Sequence, residues 1–267
     1  MEKRELFWMG DWISPNDVLI SENRAFLYGD GFFESMRWLP DLTCLLWDFH
    51  WDRIFRTFHA LNFPVPEFFT ETWFKSLLQN QIAQNSKHDW RVKVVFWRQG
   101  GGKYQPENAR LAFLATIEPV VSPWIQTIEN VGIAESVFIP KHPLSWIKTT
   151  SSMLYVAAAT ERVNRNLDDL ILRNEHGYVI EGSYSCLFWA KSDTIFLPDS
   201  SLGGLDSCMR KFLVLYWHKK GFRVQMVQEK WSDIPDADWI GFGSGMGLRI
   251  LPINRKVDFC NALPAFT

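Results

Sequence analysis

Residues 147–154 read Ile-Lys-Thr-Thr-Ser-Ser-Met-Leu, and this stretch decides how the rest of the chain is parsed. Four hydroxyl side chains follow Lys148, and the run 153–165 after them has helical character. Ser and Thr oxygens accept the unpaired N–H groups of a helix's first turn. The pattern therefore predicts Lys148 at the end of a strand or loop, facing a helix start. Toward the C-terminus, 169–198 reads as a meander with turns at 174–177 and 191–193. A helix is expected over 207–220 with Gly221 behind it, then strands 222–228 and 238–243 leading into GFGSGMG at 241–247. Toward the N-terminus, a strand is expected over 131–139, and PVVSP at 119–123 reads as a linker. Strands 91–98 and 110–118 flank the loop QGGGKY. Ile54, Phe55, Phe58 and Leu61 mark a helix over 47–62, Pro64 and Pro66 interrupt, and a second helix is expected over 67–84. Short strands at 5–13, 17–20 and 32–39 complete the order. These elements predict a two-domain α+β protein: an α/β domain over 1–118, a linker over 119–126 and a larger domain over 127–267.

The chain has 267 residues, 47% hydrophobic and 22% charged, which suits a soluble globular protein with a substantial core. A net charge of -2 gives no electrostatic reason to expect nucleic acid or an anionic membrane as partner. No run of about 18 apolar residues occurs, so no membrane span is expected, and the first residues lack a signal peptide's apolar stretch. Cys44, Cys186, Cys208 and Cys260 include no CxxC pair and read as free thiols in a reducing cytoplasm; no metal site is expected. The 14 Trp and 21 Phe are expected in core or interface. The glycines of 241–247 lack the βαβ unit and downstream acid of a dinucleotide site. Gly182-Ser-Tyr-Ser-Cys186 does not make a Gly-x-Ser-x-Gly nucleophile elbow.

Six segments in order carry candidate chemistry: FLYGDGFFESMRW (26–38), HWDRIFRTFHAL (50–61), IKTTSSML (147–154), YVIEGSYSCLFW (178–189), LDSCMRKF (205–212) and FGSGMGLRILPI (242–253). Together they resemble the fold-type-IV enzymes that use pyridoxal 5'-phosphate (PLP): branched-chain and D-amino-acid aminotransferases and 4-amino-4-deoxychorismate lyases. The resemblance covers residues 20 to 253. It implies Lys148 as the Schiff-base lysine, and Glu181 as the carboxylate at the pyridine nitrogen. It implies Arg53 as the phosphate arginine, with Ser207 and Cys208 at a helix start, and Ser244, Gly245 and Met246 in a turn, as further phosphate contacts. PLP chemistry needs these types: an amine nucleophile, an acid that sets the ring's electron demand, and N–H groups around the phosphate. Arg98, Glu34 and Tyr104 are the candidates for a substrate that carries an amine and a carboxylate, and a homodimer is expected.

Within that family, VKVVFWRQGGGKY (92–104) resembles the lyases' basic glycine-rich loop, and Cys-Met-Arg-Lys-Phe (208–212) resembles their Ile-Met-Arg-x-Phe. The short chain fits the same group, which makes 4-aminobenzoate and pyruvate for folate synthesis. Other positions keep a transaminase open: Glu34-Ser35 stands where the lyases carry Thr-Thr, and Ser151 where lyases and D-aminotransferases often carry Asn. Met153 replaces the Tyr of branched-chain enzymes. A family member without catalysis, acting as a binding subunit, is the remaining alternative.

Overall fold

The computed structural model describes residues 6–8, 11–13, 23–83, 88–234, 236–253 and 260–266. The strand expected at 17–20 lies outside them. Two units emerge, the first running to Ser122 and including Ile147–Ser151, the second made of Pro123–Trp146 and the chain from Ser152 onward. The chain passes between them at Ser122/Pro123 and again on either side of Ile147–Ser151.

The first unit is built on a five-stranded antiparallel sheet. Its strands are β1 (Leu6–Trp8), β2 (Asp11–Ile13), β3 (Gly31–Trp38), β4 (Asp89–Gly101) and β5 (Glu107–Val120), in the order β2-β1-β5-β4-β3. A short helix α1 (Arg24–Tyr28) precedes β3, and α2 (Trp47–Ala60) and α3 (Glu71–Ala83) follow it. Alternation along the strands explains the core. Phe32, Met36 and Trp38 on β3 and Val92, Val94 and Phe96 on β4 are all within 1% of full burial. Aromatic rings of the helices pack on them: Phe32 meets Phe58 edge-on at 5.2 Å, Trp38 meets Trp47 at 5.6 Å, and Phe96 meets Phe74 at 5.8 Å. Helix α3 begins at Glu71, later than the expected 67, because residues 66–70 form a turn. The N–H of Phe69 bonds the carbonyl of Pro66 at 3.0 Å, and the Thr70 hydroxyl caps the helix through the N–H of Trp73 at 3.2 Å.

The second unit carries a nine-stranded sheet. Strands β6 (Ile125–Thr127), β7 (Val131–Ile133), β8 (Asp169–Arg173), β9 (Val179–Gly182), β10 (Cys186–Lys191), β13 (Trp239–Ser244) and β14 (Gly247–Pro252) run in the order β6-β14-β13-β10-β9-β8-β7. Strand β11 (Thr194–Pro198) pairs with β10 and with β12 (Arg223–Val227). Helices α4 (Met153–Asn164) and α5 (Cys208–Lys219) complete it. The strand expected over 131–139 stops at Ile133. There the N–H groups of Glu135 and Ser136 turn away to the Glu161 carboxylate, at 3.0 and 2.8 Å. The hydroxyl cluster 149–152 does not cap α4: Ser152 is its N-cap residue but makes no side-chain cap bond.

Candidate active site

Lys148 is fixed by backbone pairing along β3, the strand that ends the five-stranded sheet. The N–H of Phe33 bonds the Lys148 carbonyl at 2.9 Å, the N–H of Thr150 bonds the Gly31 carbonyl at 2.9 Å, and Phe32 bridges Thr149. Hydroxyls read from sequence as helix caps act here instead: Thr150 Oγ1 donates to the carbonyls of Gly29 at 2.9 Å and Gly31 at 3.1 Å. The Lys148 ammonium nitrogen lies 4.7 Å from the centre of the Phe33 ring, and Lys93 Nζ lies 5.0 Å from the same ring. Burial and the neighbouring charge of Arg91 pull the pKa of Lys93 below the ordinary lysine value.

Phe33 and Glu34 are adjacent on a strand, so their side chains leave by opposite faces. Glu34 is 1% exposed and grips helix α2. Arg53 Nε and Nη2 donate to its two oxygens at 2.7 and 2.6 Å, and His50 Nδ1 lies 2.7 Å from Oε2. His50 and Arg53, three apart on α2, share one helix face, which lets one carboxylate hold both. Burial pushes the Glu34 pKa up, but Arg53 and His50 outweigh it and hold it at about 2. Expected at the substrate, Glu34 thus orients the arginine expected at the phosphate.

Arg98 is also engaged inside the first unit. Its Nη1 lies 3.3 Å from Asp30 Oδ1, its Nη2 donates to the Leu61 carbonyl, and its guanidinium sits 4.6 Å over the Phe63 ring. Asp30 accepts from Arg24 Nε at 2.8 Å as well. Arg24, 2% exposed, donates to the carbonyls of Gly101, Gly102 and Lys103 at 3.2, 3.0 and 2.8 Å, clamping the glycine-rich loop. Tyr104, at the end of that loop, is 90% exposed.

The second unit gathers the remaining candidates. Register pairs Glu181 with Cys186 and Cys186 with Gly243, so the three lie side by side across β9, β10 and β13 on one face. Strand spacing makes this span about 10 Å. At its far end the tight strand turn Ser244–Gly247 follows, with Met246 N–H bonding Ser244 Oγ at 3.2 Å. Helix α5 begins beside it: a Cβ added to Gly243 would lie 2.8 Å from Met209, in the first turn of α5. Ser207 is the N-cap there, its hydroxyl accepting from Arg210 N–H at 3.3 Å, and Cys208 is buried behind it.

Glu181 accepts from the Tyr155 hydroxyl at 2.6 Å and from Leu205 N–H at 3.2 Å. The residues after it are pinned by Asp169, which is fully buried. Asp169 accepts from the N–H and hydroxyl of Ser183, at 3.0 and 2.5 Å, and from the Ser185 hydroxyl at 3.1 Å, and it pairs with Arg249. Tyr155, Arg24, Lys93 and Asp169 were not singled out in the sequence. Each acts through partners distant in the chain, and no spacing announces them.

These groups fit PLP. The first unit offers a primary amine; the second offers a carboxylate with both oxygens oriented and, about 10 Å across the sheet from it, a helix start and a tight turn that supply N–H groups for a phosphate. The fold is shared with known enzymes. The branched-chain amino acid aminotransferase of Escherichia coli superposes with a TM-score of 0.85 at 14% identity, covering 98% of this chain and 91% of that one. The 4-amino-4-deoxychorismate lyase of Pseudomonas aeruginosa gives 0.76 at 19%, covering 92% and 90%. The model of the amino-transferase class IV family matches residues 31–255, and the chain belongs to that family. It is accordingly a PLP-dependent enzyme with an α+β fold of type IV. Among curated relatives, the aminodeoxychorismate lyase of Vibrio harveyi is 25% identical over 266 residues, covering 95% of this chain and 94% of that protein.

Proposed function

We propose that this enzyme is a 4-amino-4-deoxychorismate lyase, releasing 4-aminobenzoate and pyruvate for folate synthesis. The observation that carries this reading is the second ammonium, Lys93, on the Phe33 ring beside Lys148. Aminodeoxychorismate carries two carboxylates, one on its cyclohexadiene ring and one on its enolpyruvyl side chain. Lys93 adds a cation beside the cofactor lysine that suits a substrate carboxylate, whereas the side chain of a branched-chain amino acid has no charge to meet it. The near full-length similarity to the Vibrio harveyi lyase supports the same choice.

Lys148 is the residue that binds the cofactor and moves the proton. PLP supplies an electron sink that weakens the C–H bond at the carbon bearing the substrate's amine. Lys148 Nζ takes that proton. The C–O bond on the neighbouring ring carbon then breaks, enolpyruvate leaves and takes up a proton to become pyruvate, and the ring becomes aromatic. Glu181 would stand at the cofactor's ring nitrogen. Arg53, aimed by Glu34, would hold the phosphate, and the backbone at Ser207, Cys208, Ser244, Gly245 and Met246 would offer N–H donors to it. Lys93 receives a substrate carboxylate, and Tyr104 closes on the substrate from the loop that Arg24 clamps. Arg98 reaches a substrate carboxylate only by loosening its contact with Asp30. The enzyme works as a homodimer in the cytoplasm. The stripe of Met153, Val156 and Val163 on α4, from 55% to 76% exposed, supports burial against a second copy.

Glu34 directly after Phe33 favours a second reading, an amino-acid transaminase. The two are separated by offering the PLP-loaded enzyme aminodeoxychorismate and, separately, branched-chain and D-amino acids with 2-oxoglutarate. The lyase gives 4-aminobenzoate and pyruvate in equal amounts from the first. Glutamate formation from the second, with no 4-aminobenzoate from the first, overturns it.

A further inference from the structure

The acid proposed at the ring nitrogen does not act alone. Both Glu181 oxygens carry donors from the second unit: the Tyr155 hydroxyl at 2.6 Å on Oε1 and the Leu205 N–H at 3.2 Å on Oε2. The backbone donor is brought there by two glycines. Gly203 adopts φ +103° against the backbone of Lys141, and Gly204 lies so close to Ile180 that a Cβ would meet its side chain at 2.7 Å. The side-chain donor comes from the first turns of α4, where the Tyr155 ring packs against a cluster that includes Val137, Ala158, Leu172 and Ile180. A phenylalanine would fill the same volume, so the cluster does not explain the hydroxyl. Burial and the charge of Glu181 push the phenol pKa far up, and Tyr155 therefore remains a donor at every working pH.

A carboxylate that accepts two hydrogen bonds is a weaker base than one that accepts a single bond. In a hydrogen bond between a carboxylate and a pyridine nitrogen, the proton rests on whichever partner is the stronger base. We propose that Tyr155 is a positioning residue that weakens Glu181 as a base and so keeps the proton they would otherwise contest on the cofactor's ring nitrogen. There the proton makes the ring a strong electron sink, and removal of the substrate proton by Lys148 is fast. The inference rests on the assignment of Glu181 to the ring nitrogen. It applies to a lyase or a transaminase alike, because both begin with that proton transfer.

The test reads the proton itself. Apo-protein is loaded with PLP carrying 15N in the ring, and the nitrogen resonance is followed against pH in the wild type and in Tyr155→Phe. The wild type should hold the protonated position through neutral pH. In Tyr155→Phe the resonance at neutral pH should move toward the unprotonated position, as expected for an about tenfold change in the proton balance between ring nitrogen and carboxylate. PLP affinity should change by less than this. Should the phenylalanine variant fail to fold, 3-fluorotyrosine at position 155, a stronger donor, should instead move the resonance further toward the protonated position. An identical resonance at neutral pH in wild type and variant, both with bound cofactor, overturns the role of Tyr155 alone. A wild type that binds no PLP in a Lys148-dependent way overturns the cofactor assignment, and this inference with it.

Discussion

Glu34 illustrates how one residue couples strand and helix. Its carboxylate is held near pKa 2 where an unfolded glutamate has 4.5. A depressed carboxylate stabilises the fold fully above the unfolded value and loses that contribution as pH falls toward the folded value. Glu34 should therefore contribute roughly 3 kcal/mol above about pH 4.5, lost between there and about pH 2. Chemical denaturation across that window should show the loss in the wild type, and Glu34→Gln should flatten that part of the curve. The variant should also be less stable at pH 7 by about 3 kcal/mol, because Arg53 then keeps a buried charge with a weaker partner. PLP affinity should fall with it, since Arg53 loses its aim. Lys93 belongs to the same scale. If it meets a substrate carboxylate, Lys93→Met should raise KM for aminodeoxychorismate about tenfold and leave kcat within about threefold. Steady-state kinetics that show an unchanged KM would remove Lys93 from the substrate site.

At the scale of elements, the sequence read well where periodicity was strong and poorly where bonding is distant. Helix α2, strand β3 and helix α5 fall within two residues of expectation, because apolar spacing and Gly221 mark them locally. The segment 147–151 was misread in one respect. Its Thr and Ser look like caps from sequence, yet Thr150 bonds Gly29 and Gly31, more than 100 residues away, and so seats Lys148 on the edge of β3. The position of the lysine was legible; the strand that holds it was not. Glu181 was singled out in the sequence and its partner Tyr155 was not, since nothing in the helical phase of α4 marks a tyrosine that reaches a neighbouring strand. The glycine-rich loop suggested substrate binding, but its clamp, Arg24, lies more than 75 residues earlier. Gly203 offers a test of an element's geometry. At φ +103° against Lys141, Gly203→Ala should cost about 1–3 kcal/mol by denaturation and weaken PLP binding by shifting the Leu205 N–H. Gly221→Ala, with a positive φ but open space around it, should cost stability without changing cofactor affinity.

For the molecule as a whole, the class IV family and the fold agree, and no helix among the described residues is long and apolar enough to cross a membrane. Exposed Met153, Val156 and Val163 are separated by three and seven residues along a single helix, a spacing that lines them on one side of α4. If that side meets a second copy, the native mass in solution is twice 31.2 kDa, and Val156→Glu shifts it toward the monomer. A wild type that sediments as a monomer would rule the dimer out. The claim on which the rest depends is that Lys148 carries the cofactor. The most direct measurement is borohydride reduction of the PLP-loaded enzyme followed by peptide mass mapping. The prediction is a single phosphopyridoxyl mass on the peptide containing Lys148, absent in Lys148→Ala. The same mass on Lys93, or on no lysine at all, would contradict it.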